Sequence, residues 1–224
     1  MKNYTKIICI LDRSGSMSSI IDDAIGGFNS FLRSQKEVDG DATMTSHLFD
    51  TQYDTIYKDV DIQLVKDFNR NTYVPRGGTA LYDSIGKTID DEIEYLSAIP
   101  VEERPEKTLC IILTDGEENS SNKYGRELIK EMIDEMRSDF KWEFIFLAAN
   151  QDASLKAEAM GISKGNSMTF AYSGAGVGSA YATLNNATTM YRSCTVTDTS
   201  NLIKDENSQE VSNITQDKPT QDNS

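Results

Sequence analysis

Two short stretches limit what this chain can fold into: Ile7-Ile8-Cys9-Ile10-Leu11 and Leu109-Cys110-Ile111-Ile112-Leu113, the first running straight into Asp12 and the second reaching Asp115 after one threonine. A strand with one wet face alternates apolar and polar residues, and these runs do not. Continuous apolar runs are expected of strands buried on both faces, in a parallel sheet covered by helices. Helical spacing supplies the covers. Residues 18–37 place Ile20, Ile21, Ala24, Ile25, Phe28, Phe31 and Leu32 along one side, and residues 80–97 do so with Leu81, Ile85, Ile89, Ile93 and Leu96. Further helices are expected over 124–140, near 152–160 and over 177–192, with strands at 142–148 and, more weakly, 166–172. Residues 42–49 and 53–60, joined by Asp50-Thr51-Gln52, read as a hairpin, and 61–68 as a short helix. Pro75, Gly77 and Gly78 make residues 73–79 a loop. Strands alternating with long helices predict an α/β fold: a doubly wound, mainly parallel central sheet with one antiparallel edge strand and helices on both faces.

The domain is expected to span 1–194. From 195 to 224 the chain is rich in Thr, Asp, Ser, Asn and Gln, with net charge −4 from six acids against Lys204 and Lys218. Such a stretch buries too little apolar surface to offset its ordering entropy, which predicts a disordered acidic tail. The whole chain carries a formal charge of −14. That balance excludes a binder of nucleic-acid backbone, which needs a basic face. No run approaches the ~20 apolar residues of a membrane span, and the N-terminus lacks the pattern of a secretory signal. Cys9, Cys110 and Cys194 form neither a zinc spacing nor an even disulfide set. A reducing, cytoplasmic setting is therefore expected, and the Asn119, Asn186 and Asn213 glycosylation patterns are read as chance.

In an open α/β sheet, ligands bind beyond the carboxyl ends of the strands, where the winding reverses. If the two most apolar strands are central neighbours, Asp12 and Asp115 face one crevice. Ser14 and Ser16 follow the first acid at alternate positions, and Thr79 follows a Gly-Gly pair that admits close backbone approach. Two carboxylates and three hydroxyls are an all-oxygen set. Such hard ligands suit Mg²⁺, with Mn²⁺ as the alternative, rather than zinc or copper.

Asp12-Arg-Ser14-Gly-Ser16, Gly77-Gly78-Thr79 and Leu113-Thr-Asp115-Gly-Glu-Glu118 resemble, in order and separation, the three motifs of a von Willebrand factor type A domain. The resemblance covers roughly residues 4–192. It is similar in particular to stand-alone bacterial and phage proteins of that class, through GGFNSF at 26–31 and PRGGTALYDSIG at 75–86. The resemblance implies a Rossmann-like fold and an intact metal-ion-dependent adhesion site. It implies that Ser14, Ser16 and Thr79 bind Mg²⁺ directly, that Asp12 and Asp115 act largely through water, and that an Asp or Glu of a partner protein completes the shell. Arg13 is expected to add positive charge near the ion. The last helix, entered through a glycine-rich hinge at 174–178, is expected to shift between closed and open states.

The function expected is thus a metal-dependent protein-interaction domain, not an enzyme. One rival is a Mg²⁺-dependent phosphohydrolase using Asp12, but the acid such a site wants two residues later is here Ser14. The other is a structural protein of the same fold without a functional ion. His47, the only histidine, lacks a G-x-S-x-G elbow and reads as an ordinary strand residue. Gly174-Ala-Gly176-Val-Gly178 lacks the spacing of a dinucleotide fingerprint. Glu117, Glu118 and Asp152, and the run Asp90-Asp91-Glu92, read as solvated surface, and Trp142 as packing.

Overall fold

A computed structural model describes residues 4–149, 153–193 and 199–203. Among them one sheet is formed by β1 (Thr5–Asp12), β2 (Ala42–Phe49), β3 (Tyr53–Asp61), β4 (Lys107–Thr114), β5 (Trp142–Ala149) and β6 (Ser167–Phe170). The strand order is β3-β2-β1-β4-β5-β6. Only β3 runs antiparallel, at one edge, with its register against β2 interrupted between Met44 and His47. The other pairings are parallel. The helices are α1 (Ile21–Lys36), α2 (Leu81–Ala98), α3 (Arg126–Asp139), α4 (Ala153–Ala159) and α5 (Gly174–Ser193).

The non-alternating strands are buried on both sides, as their composition requires. Ile7, Cys9 and Leu11 of β1 join the core beneath α1 and α5, while Ile8 and Ile10 join the core beneath α2, α3 and α4. Full burial of one such side chain stabilises by roughly 1.5–3 kcal/mol. Trp142 lies in the second core, 1% exposed, beside Phe144. β1 and β4 are adjacent. From β1 the chain winds outward through β2, and from β4 it winds the other way through β5 and β6. The carboxyl ends of β1 and β4 therefore flank the reversal point.

Four expectations change. Residues 61–68 hold only a single 3₁₀ turn, Ile62–Leu64. The glycine run 174–178 is no hinge before the last helix; it forms the first turns of α5. Close packing explains two of the three glycines, since a Cβ at Gly176 would stand 1.9 Å from the Ala171 carbonyl oxygen and one at Gly174 2.5 Å from the Asp23 carboxylate, while Gly178 has open space. Glu92 is not surface: it is 2% exposed and ion-paired with buried Lys6 of β1. Finally, Thr199–Ile203, within the expected tail, packs back onto the domain. Leu202 N–H donates to Asn166 Oδ1 (2.8 Å) and Ile203 N–H to the Gly165 carbonyl (2.9 Å), and both side chains are buried. Two apolar residues seat a segment whose average composition hid them. The rest of 195–224, and Cys194 and Asp152, lie outside the described residues. Among the described residues no helix is long and apolar enough to cross a membrane.

His47 is 3% exposed on β2. Its Nδ1 shares a hydrogen bond with Thr55 Oγ1 (3.0 Å), its ring stacks on Tyr53, and among the described residues Nε2 has no hydrogen-bond partner. Burial holds its pKa down, to about 3. In the unfolded chain it would take a proton near pH 6.5, and in the folded chain it would not. Stability attributable to it is therefore full above pH 6.5 and is lost as pH falls toward 3. By linkage the loss is about 2 kcal/mol at pH 5. Urea unfolding of the wild type and His47→Gln at pH 7.5 and 5.0 is expected to show that difference disappearing in the variant; parallel pH dependences would refute it.

Candidate metal centre

Asp12 ends β1 with its carboxylate wholly buried. One oxygen accepts the Ser14 N–H (2.6 Å) and the other the Thr114 hydroxyl (2.5 Å). Both donors are neutral, so burial dominates and lifts its pKa to about 6, with the nearby Asp115 charge adding to the rise. After Asp12 the chain turns into a 3₁₀ segment, Gly15–Ile20, ahead of α1. This turn brings the alternating serines to one side: Ser14 Oγ and Ser16 Oγ are 3.0 Å apart. Both hydroxyls meet Asp115 Oδ1, from Ser16 at 2.8 Å and from Ser14 at 3.4 Å. Asp115 follows β4, is 3% exposed, and its carboxyl is likewise pushed up by burial.

Thr79 enters from the third loop. Gly77 has φ +66°, a conformation that costs a side chain, and its carbonyl accepts the Gly15 N–H at 3.1 Å. A Cβ on Gly78 would stand 2.4 Å from Ser120 Oγ, so this glycine permits close approach of the 115–121 loop. Asn119 brackets Thr79: its N–H donates to the Thr79 carbonyl (3.0 Å) and its Oδ1 accepts the Thr79 N–H (2.9 Å). The Thr79 hydroxyl lies against the Asp115-Gly116 turn, 2.9 Å from where a Cβ on Gly116 would be. The residue is 2% exposed. Asp12, Ser14, Ser16 and Asp115 are thus tied by hydrogen bonds, and Thr79 adjoins them from the next loop.

The supports of this cluster escaped the sequence reading. Tyr73 donates its buried hydroxyl to the Asp12 carbonyl and Tyr172 donates to the Ser16 carbonyl, bracing the loop at both ends. Glu118 is not a surface charge. Its carboxylate accepts the N–H groups of Tyr82 (3.0 Å), Ser120 (2.9 Å) and Ser121 (2.8 Å), fastening the 115–121 loop to the start of α2. Glu117 does lie on the surface, 82% exposed, beside Lys156. Arg13 corrects a further expectation. Its guanidinium is 4% exposed and pairs with Asp50 (2.8 Å) and Asp54 (2.5 Å), so its charge is spent anchoring the loop to the β2–β3 hairpin.

Comparison with known proteins locates this arrangement. No protein-family model matches the sequence, and no curated protein matches it. Solved structures do match. Proximal thread matrix protein 1 of the mussel byssus superposes with TM-score 0.60 at 13% identity, covering 82% of this chain and 47% of its own. A von Willebrand factor type A protein of Catenulispora acidiphila gives 0.53 at 13%, covering 81% and 42%. This is the von Willebrand factor type A fold. The TRAP protein of Plasmodium vivax, solved manganese-loaded, shares it with TM-score 0.56 at 15% identity, covering 80% of this chain and 71% of that one. The byssus protein was also solved with zinc in its MIDAS motif. This chain spans less than half the length of the byssus and Catenulispora chains.

The donor set fits a hard divalent cation. Two buried carboxylates and three hydroxyls converge at a strand-end crevice, and oxygen is the only donor element among the five. Among the described residues no three His, Cys, Asp or Glu side chains group as a metal set. The cluster described above would not form one, because it holds two carboxylates and three hydroxyls.

Proposed function

We propose that this chain is a Mg²⁺-dependent protein-interaction domain, with Mn²⁺ as the alternative ion, and that it is not an enzyme. Ser14, Ser16 and Thr79 would hold the ion directly, and Asp12 and Asp115 largely through water. Bound there among neutral hydroxyls, the ion supplies an electrophilic position for a carboxylate oxygen from outside. The partner read from this chemistry is a protein presenting an Asp or Glu. The observation that carries the reading is the meeting of both serine hydroxyls on Asp115, with Thr79 beside the same turn, at the edge where a doubly wound sheet places ligands. The metal named for the byssus and TRAP structures supports it by likeness of fold. Against the phosphohydrolase alternative, Asp12 is 0% exposed and both carboxylate oxygens are engaged, which suits a supporting acid and not a nucleophile. We further infer an interaction domain over 1–194, a cytoplasmic setting and an acidic tail whose Thr199–Ile203 segment belongs to the domain.

Calorimetric titration of Mg²⁺ and of Mn²⁺ into the purified chain tests this. Saturable heat is expected in the wild type and none in Ser14→Ala/Ser16→Ala. Heat that survives the double substitution would refute the assignment. A pull-down from lysate with and without EDTA then identifies the partner.

A further inference from the structure

One step along the chain from Thr79, the surface opens into a cavity of about 340 Å³ between the tip of the β2–β3 hairpin, the start of α2 and the 119–124 loop. Resting on the metal reading above, the geometry points to this cavity as a second anchor for the same partner, taking an aromatic side chain close to the coordinating acid. Phe49 forms its floor, and the half-buried rings of Tyr53 and Tyr124 form its walls.

The rings are fixed before any guest arrives. Tyr124 lies flat on α2, where a Cβ on Gly86 would come within 2.3 Å of it, and its hydroxyl donates to Asp90 (2.5 Å). Tyr53 shares a hydrogen bond with Thr88 (2.9 Å). The acids of the wall are already engaged. Asp83 accepts the N–H groups of Asn122, Lys123 and Tyr124 at 2.8–2.9 Å, and Asp91 takes both contacts of the Lys87 ammonium at 2.9 Å. Asp83, Asp90 and Asp91 against Lys87 and Lys123 leave the wall net negative, which disfavours a second acid. Ring surface of Tyr53 and Tyr124 lies beside the Lys87 ammonium, which stands 5.3 Å from the Tyr53 centroid. Ring faces and edges with a neighbouring cation favour an aromatic guest, and pre-set walls spare the ordering cost of binding it. Thr79 and Ala80 are consecutive, and Ala80 lines the cavity.

The test is selection of a random peptide library displayed on phage against the immobilised full chain in Mg²⁺, with elution by EDTA. Eluted sequences are expected to share one acid and, at a single fixed offset, Phe, Tyr or Trp. A synthetic peptide of that type should lose at least tenfold in affinity when its aromatic residue becomes Ala, Asp or Lys. On Tyr124→Ala protein that loss should vanish while the Mg²⁺ heat stays as in the wild type. Eluted sequences that share the acid with random flanks, or an aromatic contribution that survives in Tyr124→Ala, would overturn the second anchor and leave the metal reading intact. If no peptide elutes with EDTA although Mg²⁺ binds, the interaction reading itself fails and the anchor with it. The peptide substitutions on wild-type protein decide the matter even if Tyr124→Ala does not fold.

Discussion

Asp12→Asn is expected to make the metal-free protein more stable and its divalent-cation binding weaker. The carboxylate is wholly buried, its donors on Ser14 and Thr114 are neutral, and its pKa is raised to about 6 against 3.8 for the free side chain. The sign follows from the direction of the shift. A raised folded pKa means that the ionised group is penalised in the folded state. The penalty is full above pH 6 and gone below pH 3.8, and at neutral pH it amounts to about 3 kcal/mol. Asparagine removes the charge and keeps an acceptor for the Ser14 N–H, and the Thr114 hydroxyl can accept as readily as it donates. In EDTA at pH 7.5 the variant should melt higher by on the order of 10 °C, and the gain should vanish near pH 3.8. For an acid that supports the ion through water, the loss in Mg²⁺ affinity is expected at roughly 10- to 100-fold. Melting curves in EDTA and in Mg²⁺, beside calorimetry, check both halves. A variant less stable than the wild type in EDTA would show that the carboxylate is no burden there.

The same trade explains why the site was legible in the sequence. A residue that costs folding energy stands out against its surroundings: Asp12 interrupts a strand that is otherwise apolar, and Gly77-Gly78 interrupts what would otherwise lead into a helix. The strand and helix pattern was legible for a related reason, because burial on both faces of β1 and β4 leaves no polar alternation to misread. What stayed hidden depends on contacts distant along the chain. Tyr73, Asn119, Glu118 and Tyr172 are ordinary residues by local context, and they become supports only when three loops meet. Thr114, one residue before Asp115, reads as the last β-branched position of a strand and turns out to hold Asp12. Gly174 and Gly176 have the look of flexibility by composition, yet the Asp23 carboxylate and the Ala171 carbonyl crowd the places their side chains would take. Leu202 and Ile203 sit in too polar a neighbourhood for periodicity to notice.

Glu92→Ala is expected to be strongly destabilising, and to leave the metal centre working. Lys6 and Glu92 are 1% and 3% exposed at the side chain and form an ion pair in the interior. Asp59 stands 3.4 Å from the same ammonium, and the Tyr95 ring lies 4.1 Å from it. Asp59 shares its carboxylate between this ammonium and the hydroxyls of Thr43 and Tyr95. Removal of Glu92 therefore leaves the buried ammonium with one more distant, shared acid. Breaking a buried pair in this way costs about 3–5 kcal/mol, which predicts a fall in melting temperature on the order of 10 °C. The pair itself is a weak source of net stability, because both ions were desolvated to form it. Lys6→Met/Glu92→Leu, which fills the space without charge, is therefore expected to recover most of the loss. Lys6 lies six residues before Asp12, about 20 Å away along β1. The Mg²⁺ affinity of folded Glu92→Ala should accordingly match the wild type within twofold when titrated well below its melting temperature. A destabilised Glu92→Ala with an unchanged ion affinity would assign the two ends of one strand to separate tasks. An affinity that fell with stability would show instead that the interior pair helps set the position of the loop beyond Asp12.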